Sequence, residues 1–429
     1  MQETTQKLYF GYTKKQLLCC LVCYISFLSF GGADASKSVY FPLIQTFYKL
    51  QYDFQGILVC ASSLGYTLFS LVVGYLTVKI GIKWTLTSGF FIMCLAYGLG
   101  ILIINLPAAF CLLVIAGIGQ VFLDVGANTW ATVLFQTSQA TMMNLLHCFY
   151  GLGATLGPVF TGWVSSHLHM SYRGAFIAVL SLCLVGIIAT LCAPVKKSEG
   201  EKKNEKMGDC ENNKPLTEEE KMASTFTIKS ALAHPVVWIM GFAEGCIAGT
   251  ENVTMNWAPL YLRDLYGWDP ETRGARFVSG FFLLYTISRV VSGFIFDRIG
   301  TIRAFLLYLL TLICVFVGGF LLGEKGTTLL MSSGFFIAPL FPTVLTFATN
   351  YFGPVVDRCT CAIMFIYMIA GQLIQLTVGV VMKYIGIPWG YRLAVVLMVC
   401  LLGLVLMINH YLKKKKAKEE EEQLLPPVA

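Results

Sequence analysis

Asp124 sits between Gln120 and Asn128, four residues from each, inside the apolar run Gly117-Ile118-Gly119-Gln120-Val121-Phe122-Leu123-Asp124-Val125-Gly126-Ala127-Asn128. That spacing places the three polar groups on one face of a helix. A short break later come Asn144, His147 and Tyr150, also among apolar residues. A carboxylate can hold a proton or a cation, amides and phenols can pair with solute hydroxyls, and histidine titrates near neutral pH. A carboxylate at bilayer depth costs about 2.5–3.5 kcal/mol on insertion scales, so it normally faces a water-filled cavity or a partner. Asp124 is therefore the first candidate for coupling and solute contact. The competing use of Gln120, Asn128 and His147 is polar packing between helices, which stabilises membrane bundles by up to about 1–2 kcal/mol.

Two further stretches carry charge inside apolar sequence. Asp34 lies in Gly31-Gly32-Ala33-Asp34-Ala35-Ser36-Lys37-Ser38, and Lys37 is three residues on, so the two can pair along one helix face. They form either a neutralised pair or a coupling carboxylate tuned by its lysine. The run Gly241–Trp257 holds Glu244, Glu251, Asn252 and Asn256 among glycines, which predicts a bent or broken helix of the kind that frames transport sites. Trp257 is suited to stacking on a sugar face or to anchoring the end of a span. Asn252-Val253-Thr254 has the form of a glycosylation sequon, but a site within a span is inaccessible. Arg289, eight residues before Asp297, predicts a structural pair near the cytoplasmic end. Gln372 and Gln375 are further cavity candidates.

The elements that must position these groups follow from composition. The 429 residues are 56% hydrophobic and 13% charged, against about 25% charged in a soluble domain. So much apolar surface fits a polytopic helical membrane protein. The net charge of +7 reads as loop lysines and arginines, with no nucleic-acid footprint. The fifteen cysteines fall mostly in apolar runs without metal-ligand spacing. Neither a Gly-x-x-x-x-Gly-Lys-Ser/Thr phosphate loop nor a His-Glu-x-x-His pair occurs, so the reading is neither an enzyme nor an ATP-driven pump, and no cofactor is expected.

Twelve spans are predicted, at 16–43, 54–79, 84–105, 107–136, 141–166, 173–193, 234–263, 273–298, 302–322, 327–350, 359–384 and 390–411. The first follows Lys14-Lys15 and is too long for a signal-peptide core. The polar stretch Lys196–Met222 predicts a flexible linker that divides the spans six and six. The predicted domains are thus a bundle over 1–194, a linker over 195–230, a second bundle over 231–412 and a tail over 413–429. Lys14, Lys15, Lys79, Lys83, Lys196, Lys197, Arg298, Arg303, Arg358 and Lys413–Lys416 fall on one side if the spans alternate. The positive-inside rule makes that side cytoplasmic, with both termini inside, and the charged loop Arg263–Arg276 is a counterexample on the other side.

The halves share landmarks. Gly74-Tyr75-Leu76-Thr77-Val78-Lys79-Ile80-Gly81-Ile82-Lys83 ends the second span, and Gly293-Phe294-Ile295-Phe296-Asp297-Arg298-Ile299-Gly300-Thr301-Ile302-Arg303 ends the eighth. Ser171-Tyr172-Arg173 opens the sixth and Gly390-Tyr391-Arg392 the twelfth. Such an internal duplication is how secondary transporters are built.

The paired turns resemble the signature loop of the major facilitator superfamily. That resemblance implies two six-helix pseudo-repeats around a midplane cavity, and an interhelical charge network at Lys79, Lys83, Asp297, Arg298 and Arg303 that biases the access state. The first copy departs from the pattern, because Val78 stands at its acidic place. Leu123–Asn128, Asn144–Ala154 and Pro339-Leu340-Phe341-Pro342-Thr343 resemble the branch of bacterial fucose–proton symporters and animal sodium-dependent glucose transporters. In that branch the residue matching Asp124 is implicated in proton coupling and sugar binding, and residues matching His147, Tyr150, Glu251 and Trp257 lie at places used for the sugar. A second acidic residue late in the first span there falls near Ser38 here, with Asp34 about one turn earlier.

The resulting expectation is a secondary transporter of a small polar solute, a sugar in the first instance, coupled to H+ or Na+ by alternating access. The rivals are an organic-ion or drug exporter of the same fold and a non-transporting membrane receptor or scaffold. Glu420-Glu421-Glu422-Gln423-Leu424-Leu425 matches an acidic dileucine sorting signal, with Glu420, Leu424 and Leu425 as its elements, read by a clathrin adaptor. Plasma and endolysosomal membranes both fit that tail.

Overall fold

The computed structural model describes residues 13–103, 105–135, 139–194 and 227–424. The predicted linker over Lys196–Met222 and Leu425 of the sorting signal lie outside the described residues. The described chain is helical: α1 Lys14–Ala35, α2 Lys37–Tyr48, α3 Tyr52–Ile80, α4 Ile82–Leu102, α5 Leu106–Leu134, α6 Gln139–Leu168, α7 Tyr172–Cys192, α8 Ile228–Ala233, α9 Pro235–Tyr266, α10 Ala275–Ile299, α11 Thr301–Leu321, α12 Thr327–Ile337, α13 Leu340–Phe352, α14 Val356–Tyr384 and α15 Ile387–Leu424. Among the described residues, nine helical segments are long and apolar enough to cross a membrane. The long helices α3, α6 and α9 complete the predicted series of twelve. Two of those three, α6 and α9, hold much of the chain's intramembrane polar sequence.

Several elements differ from the sequence expectation. The first span is two helices, α1 and α2, joined at Ser36. Ser36 Oγ donates to Gly32 O at 2.6 Å and lies 2.7 Å from Thr161 Oγ1, so side-chain bonds hold the joint. The glycines of α9 neither break nor bend it out of helix, which runs unbroken through Glu244 and Glu251. They are used for approach instead: added Cβ atoms at Gly241, Gly245 and Gly249 would meet Ile366, Ala370 and Ile374 of α14 at 2.7, 2.7 and 2.6 Å. The last span continues as α15 through the lysine and glutamate run to Leu424. Lys, Glu, Ala and Gln are good helix formers, and Lys415 Nζ donates to Asn350 O and Tyr351 O at 3.1 and 2.8 Å, at the C-terminal end of α13.

The chain forms two compact units, Met1–Asn213 with Ala258–Leu283, and Lys214–Trp257 with Leu284–Ala429. In the first, α1 crosses α6 with backbones nearly touching. A Cβ at Gly31 would lie 2.1 Å from Tyr150 O, and one at Gly153 would lie 2.0 Å from Leu28 O. Small residues at such a crossing replace the hydrophobic drive that lipid cannot supply. The segment Ala258–Leu283 is seated on the same unit by specific bonds. Arg263 donates to Gln45 Oε1 at 2.7 Å, Thr46 Oγ1 at 3.0 Å and Pro42 O at 3.3 Å, and Tyr52 OH donates to Asp264.

The internal duplication is visible in backbone geometry. Gly81 and Gly300 end α3 and α10 with φ 83 and 88° and ψ 152 and 140°, a region that L side chains avoid. Tyr172 and Tyr391, the central residues of the second pair of landmarks, are both fully buried. The charges of the turns do not form the expected network: among the described residues, Asp297, Arg298 and Arg303 are exposed and make no ion pair. Lys79 lies over the Tyr75 ring at 4.5 Å. Lys83 donates to Leu191 O and Ala193 O at 2.9 and 2.8 Å, satisfying carbonyls at the C-terminal end of α7.

Candidate functional site

The first unit gathers its polar residues from five helices, α1, α2, α3, α5 and α6. Asp34 precedes the Ser36 joint and Lys37 follows it, and Lys37 Nζ lies 2.5 Å from Asp34 Oδ1. The joint thus brings the predicted pair together. Lys37 is buried and also donates to Gln120 Oε1 at 3.1 Å, while Gln120 Nε2 donates to the same Asp34 oxygen at 3.4 Å. Tyr150 OH donates to Asp34 Oδ2 at 2.8 Å. This contact depends on the close α1–α6 crossing, because Gly31 lies against the backbone of Tyr150 itself.

One turn along α5 from Gln120, Asp124 Oδ2 accepts from Tyr66 OH at 2.5 Å, and Asp124 Oδ1 accepts from Asn128 Nδ2 at 2.8 Å. The shared face of Gln120, Asp124 and Asn128 is therefore used as its spacing predicts. Asp34, Asp124, Asn128 and Tyr150 are half-buried. His147 is half-buried too, its ring edge-on to Phe27 at 5.7 Å between centroids. Asn144 lies in α6, and its side chain is not described.

The two carboxylates differ in what balances them. Asp34 has an ammonium in contact, whereas Asp124 is held by a phenol and an amide and has no cation partner among the described residues. A phenol and an amide stabilise a carboxylate without neutralising it, so Asp124 can take a proton or accept from a solute hydroxyl. Gln120 contacts the Asp34–Lys37 pair and lies one turn before Asp124 on the same face of α5.

The second unit holds a separate cluster. Tyr285 OH donates to Glu251 Oε2 at 3.1 Å and accepts from Arg289 Nη2 at 2.7 Å. The Arg289 guanidinium lies 4.7 Å from the Tyr285 ring centroid. Arg289 thus serves the intramembrane Glu251 group rather than the expected pair with Asp297, because its side chain follows the helix back to the residue four before it. Trp257 does not present a sugar-stacking face: it is fully buried and its Nε1 donates to Gln375 Oε1 at 2.7 Å. Glu244 is fully buried, and neither carboxylate oxygen has a hydrogen-bond partner among the described residues.

Sequence spacing missed Tyr66 and Tyr285. Neither has an acidic residue at helical spacing that would single it out, and only the three-dimensional packing pairs it with an acid.

Comparison with known proteins gives the class. The sequence model of the Major Facilitator Superfamily matches residues 22–376, and the chain belongs to that superfamily. It is a multi-pass helical membrane protein with the fold of those transporters. A comparison with curated protein sequences finds no match. Among solved structures, a bacterial homologue of the human lysosomal transporter Spinster, in an inward-facing and unoccupied conformation, superposes with a TM-score of 0.73 at 14% identity, over 94% of this chain and 99% of that one. The nucleoside transporter NupG does so with a TM-score of 0.70 at 13% identity, over 93% and 100%. The E. coli fucose:proton symporter FucP gives 0.59 at 16% identity, over 92% and 99%. At these identities the likeness is one of fold.

Proposed function

We propose that this protein is a proton-coupled secondary transporter of a small polyhydroxylated solute, of which a hexose is the first candidate. The observation that carries the reading is the paired arrangement of Asp34 and Asp124, one neutralised by Lys37 and the other held by Tyr66 and Asn128. Two membrane-embedded carboxylates are costly to keep, and such groups mark ion and substrate paths. Protonation of Asp34 releases Lys37 and Tyr150, and protonation of Asp124 turns an acceptor into a donor. The first event changes bonds that hold α1 to α5 and α6, and the second changes the bond between α3 and α5, which couples proton occupancy to helix position.

At Asp34 the arrangement favours the proton over sodium. Lys37 Nζ already contacts Asp34 and Gln120, the oxygens that a sodium ion would need, and an ammonium fixed there repels a second cation. Half-buried Asn128, His147 and Tyr150 supply the donors and acceptors that a hydroxyl-rich solute matches. The test is uptake of a panel of hexoses, nucleosides and lipophilic cations into proteoliposomes, under an imposed proton gradient, a sodium gradient or none. Proton-stimulated uptake of a hexose is the expected result. Uptake of cations alone, or stimulation by sodium alone, contradicts the proposal.

A further inference from the structure

Charge does not balance inside the second unit. Of the charged residues more than three positions inside the predicted spans, that unit holds two carboxylates, Glu244 and Glu251, and one cation, Arg289. Its other span charges, Asp297, Arg298, Arg303, Lys383 and Arg392, stand at span ends. The first unit has the same count in Asp34, Asp124 and Lys37. One carboxylate in each unit is therefore without a counter-ion, and in the second unit the geometry says which.

Glu251 is half-buried and accepts from Tyr285 OH, which in turn accepts from Arg289. Glu244 lies two turns earlier on the same face of α9, about 10 Å away along the axis. It is fully buried, and both its oxygens are sealed from solvent and without a partner among the described residues. The elements packed on α9 bring it no second cation. α14 meets Gly241, Gly245 and Gly249 with Ile366, Ala370 and Ile374, and the Tyr367 backbone lies 3.9 Å from a Cβ at Gly245. α15 brings Cys400 near Cys246. Phenols and thiols are neutral at physiological pH. An ionised carboxylate shut away from water, donors and cations is too costly to keep, and such a group neutralises by taking up a proton. An ionisable residue inside a span is kept for function by default.

We propose that Glu244 is a proton-binding site of the second unit, which holds a proton in this conformation and exchanges it with solvent only when a conformational change admits water to α9. In that step the carboxyl O–H bond breaks, its electron pair stays on the oxygen and the proton passes to water. The reverse step restores the neutral acid. The use of this site in transport rests on the proton coupling proposed above, whereas its protonation does not, so it is tested without solute or gradient.

The test is infrared spectroscopy of the purified full chain in lipid nanodiscs at neutral pH. The expected result is a carbonyl band of a protonated carboxylic acid that shifts when the chain carries glutamate labelled with heavy carbon at the carboxyl, which sets it apart from Asp34 and Asp124. The band should be lost in Glu244→Gln and retained in Glu251→Gln. In heavy water it should move to its deuterated position while core amides stay unexchanged, so that exchange precedes unfolding. Glu244→Gln keeps the shape of the neutral acid and should elute as the wild-type chain does. If it does not fold, the isotope shift in the wild-type chain and retention of the band in Glu251→Gln carry the assignment. Absence of a protonated glutamate band, or its loss in Glu251→Gln, overturns the proposal. A band that stays undeuterated until the chain unfolds marks a static packing acid and overturns it equally. A band that is present and exchanges supports the site even where no proton gradient drives hexose uptake, a failure that belongs to the function proposed above.

Discussion

The phenol of Tyr66 donates to Asp124 Oδ2 at 2.5 Å across 58 positions of sequence. With Asn128 on the other carboxylate oxygen, it fixes an acid that has no counter-cation among the described residues. An oriented, uncompensated carboxylate is poised to respond to a proton or to a solute hydroxyl. Tyr66→Phe keeps the ring and removes one hydrogen bond, worth about 1 kcal/mol. Uptake should fall about fivefold with little change in thermal midpoint. Wild-type uptake in this variant removes Tyr66 from the mechanism.

The Asp34–Lys37 pair is a stronger structural commitment. Replacing one partner of a buried ion pair costs about 3–5 kcal/mol, and the lower end applies because the Asp34 side chain keeps 19% exposure. Lys37→Ala should therefore lower the thermal midpoint clearly. The double variant Asp34→Asn with Lys37→Gln should recover most of that loss and still fail to accumulate solute. Stability scans paired with uptake separate the two roles. Recovery of both properties together marks the pair as structural only.

The crossing of α1 and α6 tolerates no side chain at its centre. Gly153→Leu sets new atoms against Leu28 O, where even a Cβ would stand at 2.0 Å. Size-exclusion chromatography should show no monodisperse protein. Gly74→Ala is the control, because nothing among the described residues lies within 4 Å of its added Cβ.

Arg263 ties Ala258–Leu283 to α2 through Gln45, Thr46 and Pro42 O. Arg263→Ala removes these bonds. If the contact opens during transport, the variant should raise the rate of cysteine labelling at engineered positions on α2 while the chain stays folded. Unchanged labelling means that the contact is static.

Sequence spacing revealed what is local. Asp124 and Asn128 are four residues apart on one helix, so helical periodicity alone brings them together, and Asp34 and Lys37, three apart, meet across the short joint at Ser36. The duplicated turns were legible for the same reason: only glycine suits the φ near +85° at Gly81 and Gly300. The joint at Ser36 was not legible, since its bonds go to Gly32 O and to Thr161 on a distant helix. Nor was the link from Lys37 to Gln120, 83 positions away. In α9 the glycines misled, because close approach to α14 and helix breakage call for the same residue. Trp257 misled in another way: its polar edge found Gln375 and its ring went inside.

The central claim is that Asp124 couples solute movement to protons, and it is tested most directly by comparing two assays on one variant. Asp124→Asn in proteoliposomes should lose proton-driven accumulation of the solute identified by the uptake panel, by at least about tenfold, while keeping exchange of labelled against unlabelled solute at equal concentration. That outcome separates coupling from the path itself. Proton-driven accumulation at the wild-type level in Asp124→Asn would contradict the account.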